Sequence, residues 1–247
     1  MTALHQAGYE AYVVGGAVRD HLLGVAPQDI DIATSAHTQE IIATAQEQGW
    51  RTVETGIFFG VVVVLVDGEP YDVATFRTET YGVDSHRPET VSFAASLKED
   101  LSRRDFSINA MAMDETGRII DYFGGQNDLR QGVIRTVGDP LLRFQEDSLR
   151  MFRAARFAAT FDFVIDPATL AAIPPNLYRV RGLSVERVRN EIDKTLLGRF
   201  APRGLRVLME QGLLEETCRV RDDSRQARIV ILPELSHLRG LSQSERF

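Results

Sequence analysis

Val13-Val14-Gly15-Gly16-Ala17-Val18-Arg19-Asp20-His21-Leu22-Leu23-Gly24, followed by Pro27-Gln28-Asp29-Ile30-Asp31-Ile32-Ala33-Thr34, decides how this chain folds. The apolar run ending at Val14 reads as a strand. The glycine pair turns it into a helix over Ala17–Leu23 that Gly24 closes. Backbone N–H groups at such a turn can meet a phosphate, and Arg19, one turn on, can meet the same anion. Polar and apolar residues alternate over Asp29–Thr34, which predicts a strand with Asp29 and Asp31 on one face. Carboxylates so placed can share metal ions about 3.5–4 Å apart, and Mg²⁺ favours carboxylates plus substrate phosphates. Taken alone, the aspartates read more simply as an exposed strand edge, and the glycines as a tight turn. Gly15-Gly16 lacks the third glycine of a dinucleotide fingerprint and no Gly-Lys-Ser/Thr is present, which argues against Rossmann and P-loop sites.

Outward from this stretch, Leu4–Gly8 reads as the end of a helix and Tyr9–Val14 as the strand that follows it. Thr38–Gln48 is an amphipathic helix stopped by Gly49. Val61–Val66 and Tyr71–Phe76 form a hairpin across Asp67-Gly68-Glu69-Pro70. If the second hairpin strand neighbours Asp29-Ile30-Asp31, Asp72 can complete a carboxylate trio, as metal ligand or as the group that orients an attacking hydroxyl. Thr78–Pro88 is polar and turn-rich, the pattern of a mobile loop. Leu97–Ala112 reads as helical and places Arg104, Asp105 and Asn109 close together on a turn or its cap. Arg104 can bind a triphosphate and the other two a ribose; a helix cap with a salt bridge explains the same residues without a ligand.

Ile119–Phe123 reads as a short strand before Gly124-Gly125. The pattern changes at Gly138-Asp139-Pro140, so residues 1–138 are expected to form an α/β domain and 139–247 a helical one. Helical patterns run over 140–161, Pro167–Ile173, Ser184–Leu197 and Ala201–Gln211. In the first of these Leu149, Phe152, Ala155 and Ala159 make the apolar stripe. Asp147 and Arg150, three apart, share another face, as a surface salt bridge or as hydrogen-bonding partners for a nucleotide base edge. Glu186, Arg187 and Asn190 admit the same two readings.

The chain has 247 residues, 44% of them hydrophobic, enough for a real core. Its single cysteine, Cys218, excludes an internal disulfide framework and a multi-cysteine zinc site. No apolar run approaches the roughly 20 residues that span a bilayer, and Met1–Gln6 lacks the regions of a signal peptide. A cytoplasmic location without a membrane partner is therefore expected. The net charge of −7 is unevenly spread. Residues 1–100 carry five Lys+Arg against fifteen Asp+Glu, and residues 101–247 carry twenty-three against twenty. An acidic front and an Arg-rich rear permit an RNA partner without demanding one. Oligomeric state is not readable from these patterns.

In their order, six segments resemble the bacterial tRNA nucleotidyltransferase and poly(A) polymerase family of the class II CCA-adding type. They are Gly15–Gly24, Asp29-Ile30-Asp31, Asp72–Arg77, Arg103–Ala112, Glu146–Arg150 and Glu186–Glu191. The resemblance implies an α+β fold: a polymerase β-type nucleotidyltransferase head, a small mixed sheet with flanking helices, then an all-α neck and body. It implies Mg²⁺ on Asp29 and Asp31, a catalytic Asp72, and triphosphate contacts from Gly15, Gly16 and Arg19. It assigns Arg104, Asp105 and Asn109 to ribose and phosphates, and Asp147 and Arg150 to reading the base of CTP or ATP without a template. Arg153 and Arg156 join the nucleotide-binding set. The implied reaction adds CMP and AMP to the tRNA 3′ end, with complete CCA addition, A addition, poly(A) synthesis and, less favoured, a small-molecule acceptor left open. Retention of the loop over Arg77–Glu89 disfavours CC-only addition. The sequence departs from the family in three places. Asp72 stands where glutamate is frequent, and His86-Arg87-Pro88 replaces Arg-Arg-Pro. The chain also stops soon after Leu232-Pro233-Glu234-Leu235, where relatives commonly continue through helices that help to hold tRNA.

Overall fold

A computed structural model describes residues 1–54, 56–80, 90–93 and 96–218 of the chain, which divides into two units, Met1–Asp139 and Pro140–Phe247. The first unit begins with α1 (Thr2–Gln6), β1 (Ala11–Val14), α2 (Gly16–Leu22), β2 (Asp31–Thr34), α3 (Thr38–Glu47) and β3 (Arg51–Val53). It continues with β4 (Val61–Val66), β5 (Glu69–Thr75), β6 (Arg77–Thr80), β7 (Thr90–Phe93) and α4 (Leu97–Ser102). It closes with β8 (Met111–Met113), β9 (Ile119–Asp121) and α5 (Gly125–Gln131). Seven strands form one mixed sheet in the order β3-β4-β5-β2-β1-β8-β9. Every pairing in it is antiparallel except β2 with β5, and β6 and β7 make a separate antiparallel pair.

Local chemistry explains most of these elements. The β-branched run of β4 suits a pleated, buried surface. It folds back on β5 through Asp67 and Gly68, whose φ angles of 53° and 90° make the two-residue hairpin turn matched to strand twist. Alternation then sorts the two faces of the sheet. Ile32, Val62, Val64 and Val73 pack under Leu4 of α1 and Ile41, Ile42 and Ala45 of α3. Val14, Ala33 and Ala112 pack on the other face against Leu97 and Leu101 of α4 and against Phe76. Asp31, two residues before Ala33, belongs to the α4 side.

Four expectations from sequence are corrected. The strand predicted from Asp29 starts at Asp31, because only Asp31–Thr34 find register partners on β1 and β5; Asp29 lies two residues ahead of it. The helix predicted over Leu97–Ala112 stops at Ser102. There the Asp105 carboxylate accepts the Phe106 N–H at 2.8 Å and draws the backbone out of the helix. A 3₁₀ turn (Ser107–Asn109) follows, and Met111–Met113 joins the sheet beside β1. Of the loop predicted over Thr78–Pro88, Thr78–Thr80 is strand, and residues 81–89, with His86-Arg87-Pro88, lie outside the described residues. The helix predicted over 140–161 is two helices broken at Asp147-Ser148, where the Asp147 carboxylate accepts the Leu149 N–H at 3.0 Å.

The second unit is helical: α6 (Pro140–Glu146), α7 (Leu149–Phe161), α8 (Pro167–Ala171), α9 (Ile173–Asn176), α10 (Val185–Leu196), α11 (Ala201–Glu210) and α12 (Leu213–Cys218). Leu149, Phe152 and Ala155 on α7 are buried with Phe144, Val188, Leu208 and Leu213. Asp166 and Ser184 cap α8 and α10, accepting the N–H groups of Thr169 and Arg187. Among the described residues no helix is long and apolar enough to cross a membrane.

Gly204 lets α11 lie against α7: a Cβ there would fall 2.6 Å from the Ala155 carbonyl oxygen and 2.7 Å from the Ala159 Cβ. Helix propensity favours alanine by about 1 kcal/mol, but overpacking costs about 1–3 kcal/mol. Gly204→Ala is therefore expected to lower the urea midpoint at unchanged m-value; equal or greater stability would contradict this packing. At the β8–β9 turn, Asp114 accepts hydrogen bonds from the Thr116 hydroxyl (2.6 Å) and amide (3.0 Å) and from the Arg118 amide (3.0 Å) and Nε (2.9 Å). These bonds, the Thr116 hydroxyl first, hold its pKa down to about 2. A depressed folded-state pKa stabilises the turn above the ordinary carboxylate range, and the contribution is lost as pH falls toward that value. An NMR titration of the Asp114 carboxyl carbon should show a midpoint near 2; an unshifted midpoint would dismiss the four bonds.

Candidate active site

The parallel pairing of β2 and β5 sets Asp31 directly beside Asp72, on strands that lie about 4.8 Å apart. Asp31 is exposed as a whole residue, yet its carboxylate is crowded by protein atoms. Its pKa is raised first by that desolvation; the Arg104 guanidinium lowers it, and the charges of Asp72 and Asp29 raise it again. Asp29, Asp31 and Asp72 thus share one electrostatic neighbourhood. The expected carboxylate trio does not amount to a closed cage: among the described residues no group of three or more His, Cys, Asp or Glu could hold a metal ion. The donor set still suits Mg²⁺, which uses one or two carboxylates and takes its remaining oxygens from phosphates and water.

The glycine turn lies beside these carboxylates through Arg104. Gly15 has φ 75° and ψ −132°, a conformation close to glycine-only. A Cβ on it would stand 2.8 Å from Arg104 Nη1, and one on Gly16 would stand 3.4 Å from Arg19 Nη2. Two guanidinium groups therefore converge on the turn. Arg19 donates from Nε and Nη2 to Asp20 Oδ1 (2.9 and 2.8 Å) and from Nη1 to Asn109 Oδ1 (2.6 Å). Asn109 Nδ2 in turn donates to Asp105 Oδ1 at 3.1 Å, and both of these residues are buried. Arg104 Nη2 donates to Asp100 Oδ2 at 3.2 Å, while its Nε is buried with no hydrogen-bond partner among the described residues. Gly15, Gly16, Arg19, Arg104, Asp105 and Asn109 thus form one network. Sequence reasoning missed the two carboxylates that hold its arginines. Asp100 was discoverable from its i,i+3 and i,i+4 spacing to Arg103 and Arg104; Asp20 carried no signal beyond adjacency to Arg19.

In the second unit Asp147 and Arg150, read in the sequence as a salt bridge or as partners of a base edge, each meet a different residue. Asp147 Oδ2 takes Arg187 Nη2 at 3.0 Å, because Asp147 lies in the break ahead of α7 and not on its face. Arg150 is 6% exposed and donates from Nη1 to Glu146 Oε2 (2.7 Å) and to the Arg143 carbonyl (2.9 Å). Arg156 pairs with the buried Glu191 of α10 at 2.6 Å and lies over the Phe157 ring, with the Arg153 guanidinium 5.5 Å from the same ring. Arg187, one of the residues read two ways in the sequence, is thus brought to Asp147.

Residues 11–135 match the family described as the poly A polymerase head domain, and residues 162–218 match a probable RNA and SrmB-binding site of polymerase A. The CCA-adding enzyme of Limosilactobacillus fermentum is 47% identical over 213 residues, 86% of this chain and 52% of that enzyme. The crystal structure of the Bacillus stearothermophilus CCA-adding enzyme in complex with CTP superposes with a TM-score of 0.78 at 47% identity, covering 86% of this chain and 50% of that one. The Thermotoga maritima CCA-adding enzyme complexed with tRNA gives 0.75 at 26% identity, over 96% and 53% of the two chains. The chain spans about half the length of the relatives it matches.

The turn geometry separates its two glycines. Gly15→Ala is expected to destabilise the protein by about 1–3 kcal/mol, the scale of a forced glycine-only conformation. Gly16→Ala, at ordinary φ and with an ordinary 3.4 Å contact, should cost less than about 1 kcal/mol. Urea denaturation of the two variants checks this, and equal losses would contradict it.

Proposed function

This chain belongs to the family of class II CCA-adding enzymes and poly(A) polymerase head domains, and we propose that it adds CMP and AMP from CTP and ATP to the 3′ end of tRNA. The observation that carries this reading is the placement of Asp31 beside Asp72, with Arg104 acting on Asp31 and reaching the Gly15-Gly16 turn. In the reaction the RNA 3′-oxygen attacks the α-phosphorus in line and pyrophosphate leaves. Asp72 orients the 3′-hydroxyl and takes its proton on a carboxylate oxygen. Arg19 and Arg104 hold the departing phosphates, with the Gly15-Gly16 backbone allowing close approach. Asp105 and Asn109 meet the ribose. Asp29 and Asp31 would hold Mg²⁺, which supplies Lewis-acid charge at the reacting phosphate. Asp147 and Arg150 present acceptor and donor atoms to the base edge, with Arg153 on the same helix; Arg156 contributes by holding α7 on α10.

Incubation with Mg²⁺, labelled CTP or ATP, and tRNA lacking CCA or ending in –CC tests the proposal. Incorporation of CMP and then AMP is expected. Asp29→Ala and Asp31→Ala should each lower it about 10²- to 10³-fold, the scale of lost transition-state charge stabilisation, with unchanged denaturation curves. Incorporation into –CC tRNA alone would narrow the activity to A addition, and long tails would make it a poly(A) polymerase. No transfer to any RNA would end the proposal, and full activity in either variant would end the metal assignment.

A further inference from the structure

Among the described residues of the first unit Asp100 is the most completely buried carboxylate, 1% exposed, and it takes no part in the proposed reaction. It sits on α4, the helix packed on the sheet face that carries Asp31. Its Oδ1 accepts Arg103 Nε and Nη2 (3.2 and 3.0 Å) and the Arg77 N–H (3.3 Å), and its Oδ2 accepts Arg104 Nη2 (3.2 Å). Burial alone would raise its pKa; Arg103, then Arg104 and the hydrogen bonds, outweigh this and hold it below the ordinary range. At neutral pH it is a charged anchor.

What it anchors is specific. Among the described residues Arg104 is gripped through Nη2, while Nη1 lies where a Cβ on Gly15 would come within 2.8 Å of it and Nε is buried without a partner. A long arginine without such a grip is free among its rotamers and is drawn toward the negative charges of Asp31, Asp72 and Asp29. The Arg77 amide held by the same carboxylate is the first residue of β6, where the β6–β7 hairpin leaves the main sheet. We propose that Asp100 is a positioning residue for nucleotide binding: it holds Arg104 so that the guanidinium Nη1 lies at the Gly15 turn, and it fixes the root of the β6–β7 hairpin to that arginine. This rests on the proposal that the turn receives the triphosphate. A carboxylate spent only on stabilising α4 would leave nucleotide affinity untouched.

The test uses Asp100→Asn in the whole chain, which keeps size and a hydrogen-bond acceptor and removes the charge. The dissociation constant for Mg²⁺–CTP by equilibrium dialysis and KM for CTP should both rise about tenfold, the loss of one charge-assisted grip, with kcat changed less than about threefold. A merely structural role would lower the unfolding midpoint and the active fraction, hence apparent kcat, while Kd and KM of the folded molecules stayed put. Arg104→Ala supplies the second arm. In that background Asp100→Asn should add less than about twofold to Kd, because two residues acting through one contact are not additive. Unchanged Kd in the single variant, or full additivity in the double, would overturn the role through Arg104. Hydrogen exchange of the Arg77 amide should quicken in Asp100→Asn; unchanged exchange would overturn the tie to the hairpin. Wild-type protein that binds CTP but transfers nothing to RNA would refute the proposed activity and leave the positioning role to be decided by these Kd values. Wild-type protein that does not bind CTP would refute both.

Discussion

The parallel register of β2 and β5 is the constraint on which the rest of the first unit depends. It sets two carboxylates side by side on neighbouring strands, an arrangement that costs energy wherever nothing of opposite charge answers it. The apolar residues one step along each strand repay that cost from the opposite face: Ile32 and Val73 are partners in the same register and pack under α1 and α3. Because side chains alternate, slipping either strand by one residue would bury the aspartates and expose the core. The apolar residues of both strands therefore hold the register that sets the two carboxylates together.

The charges around that pair make a network, not a set of isolated bridges. Arg104 is shared between Asp100 and the field of Asp31, and Arg19 between Asp20 and Asn109. Buried and half-buried ion pairs of this kind contribute little net stability, since desolvation offsets most of their attraction. What they accomplish is geometric. Each arginine is fixed by its own carboxylate, so two like charges can be held on one glycine turn without flying apart. An anion arriving there meets donors already in place and loses little to their ordering.

Much of this was legible in sequence and some was not, for identifiable reasons. The strand–Gly15-Gly16–helix turn and the Val61–Val66 hairpin depend on local rules of backbone conformation and alternation, and both stand in the structure. Asp72 was tied to Asp31 only conditionally, because strand adjacency is a tertiary fact that no period contains. The run from Leu97 to Ala112 keeps apolar residues at helical spacing through Leu97, Leu101 and Ile108, so periodicity alone extends the helix. The Asp105 carboxylate, bonding the backbone beside it, ends that possibility, and the open edge of β1 claims Met111–Met113. Side-chain competition for backbone donors is written in the residue type but not in its period.

The same competition reshapes the second unit. An i,i+3 spacing makes Asp147 and Arg150 neighbours only if both lie on one helix. Asp147 instead ends the α6 run, accepts the Leu149 N–H and takes Arg187 from α10, so that Arg150 turns to Glu146. A carboxylate offers roughly four acceptor directions, and the two bonds at Asp147 occupy half of them while fixing its plane. Arg187 is thus a holder of Asp147 and not its rival. Under the proposed function, an acceptor so held would answer the exocyclic amino group that cytosine and adenine both carry. The carboxylate plane is thus fixed from α10, a helix that sequence spacing gave no reason to connect with Asp147.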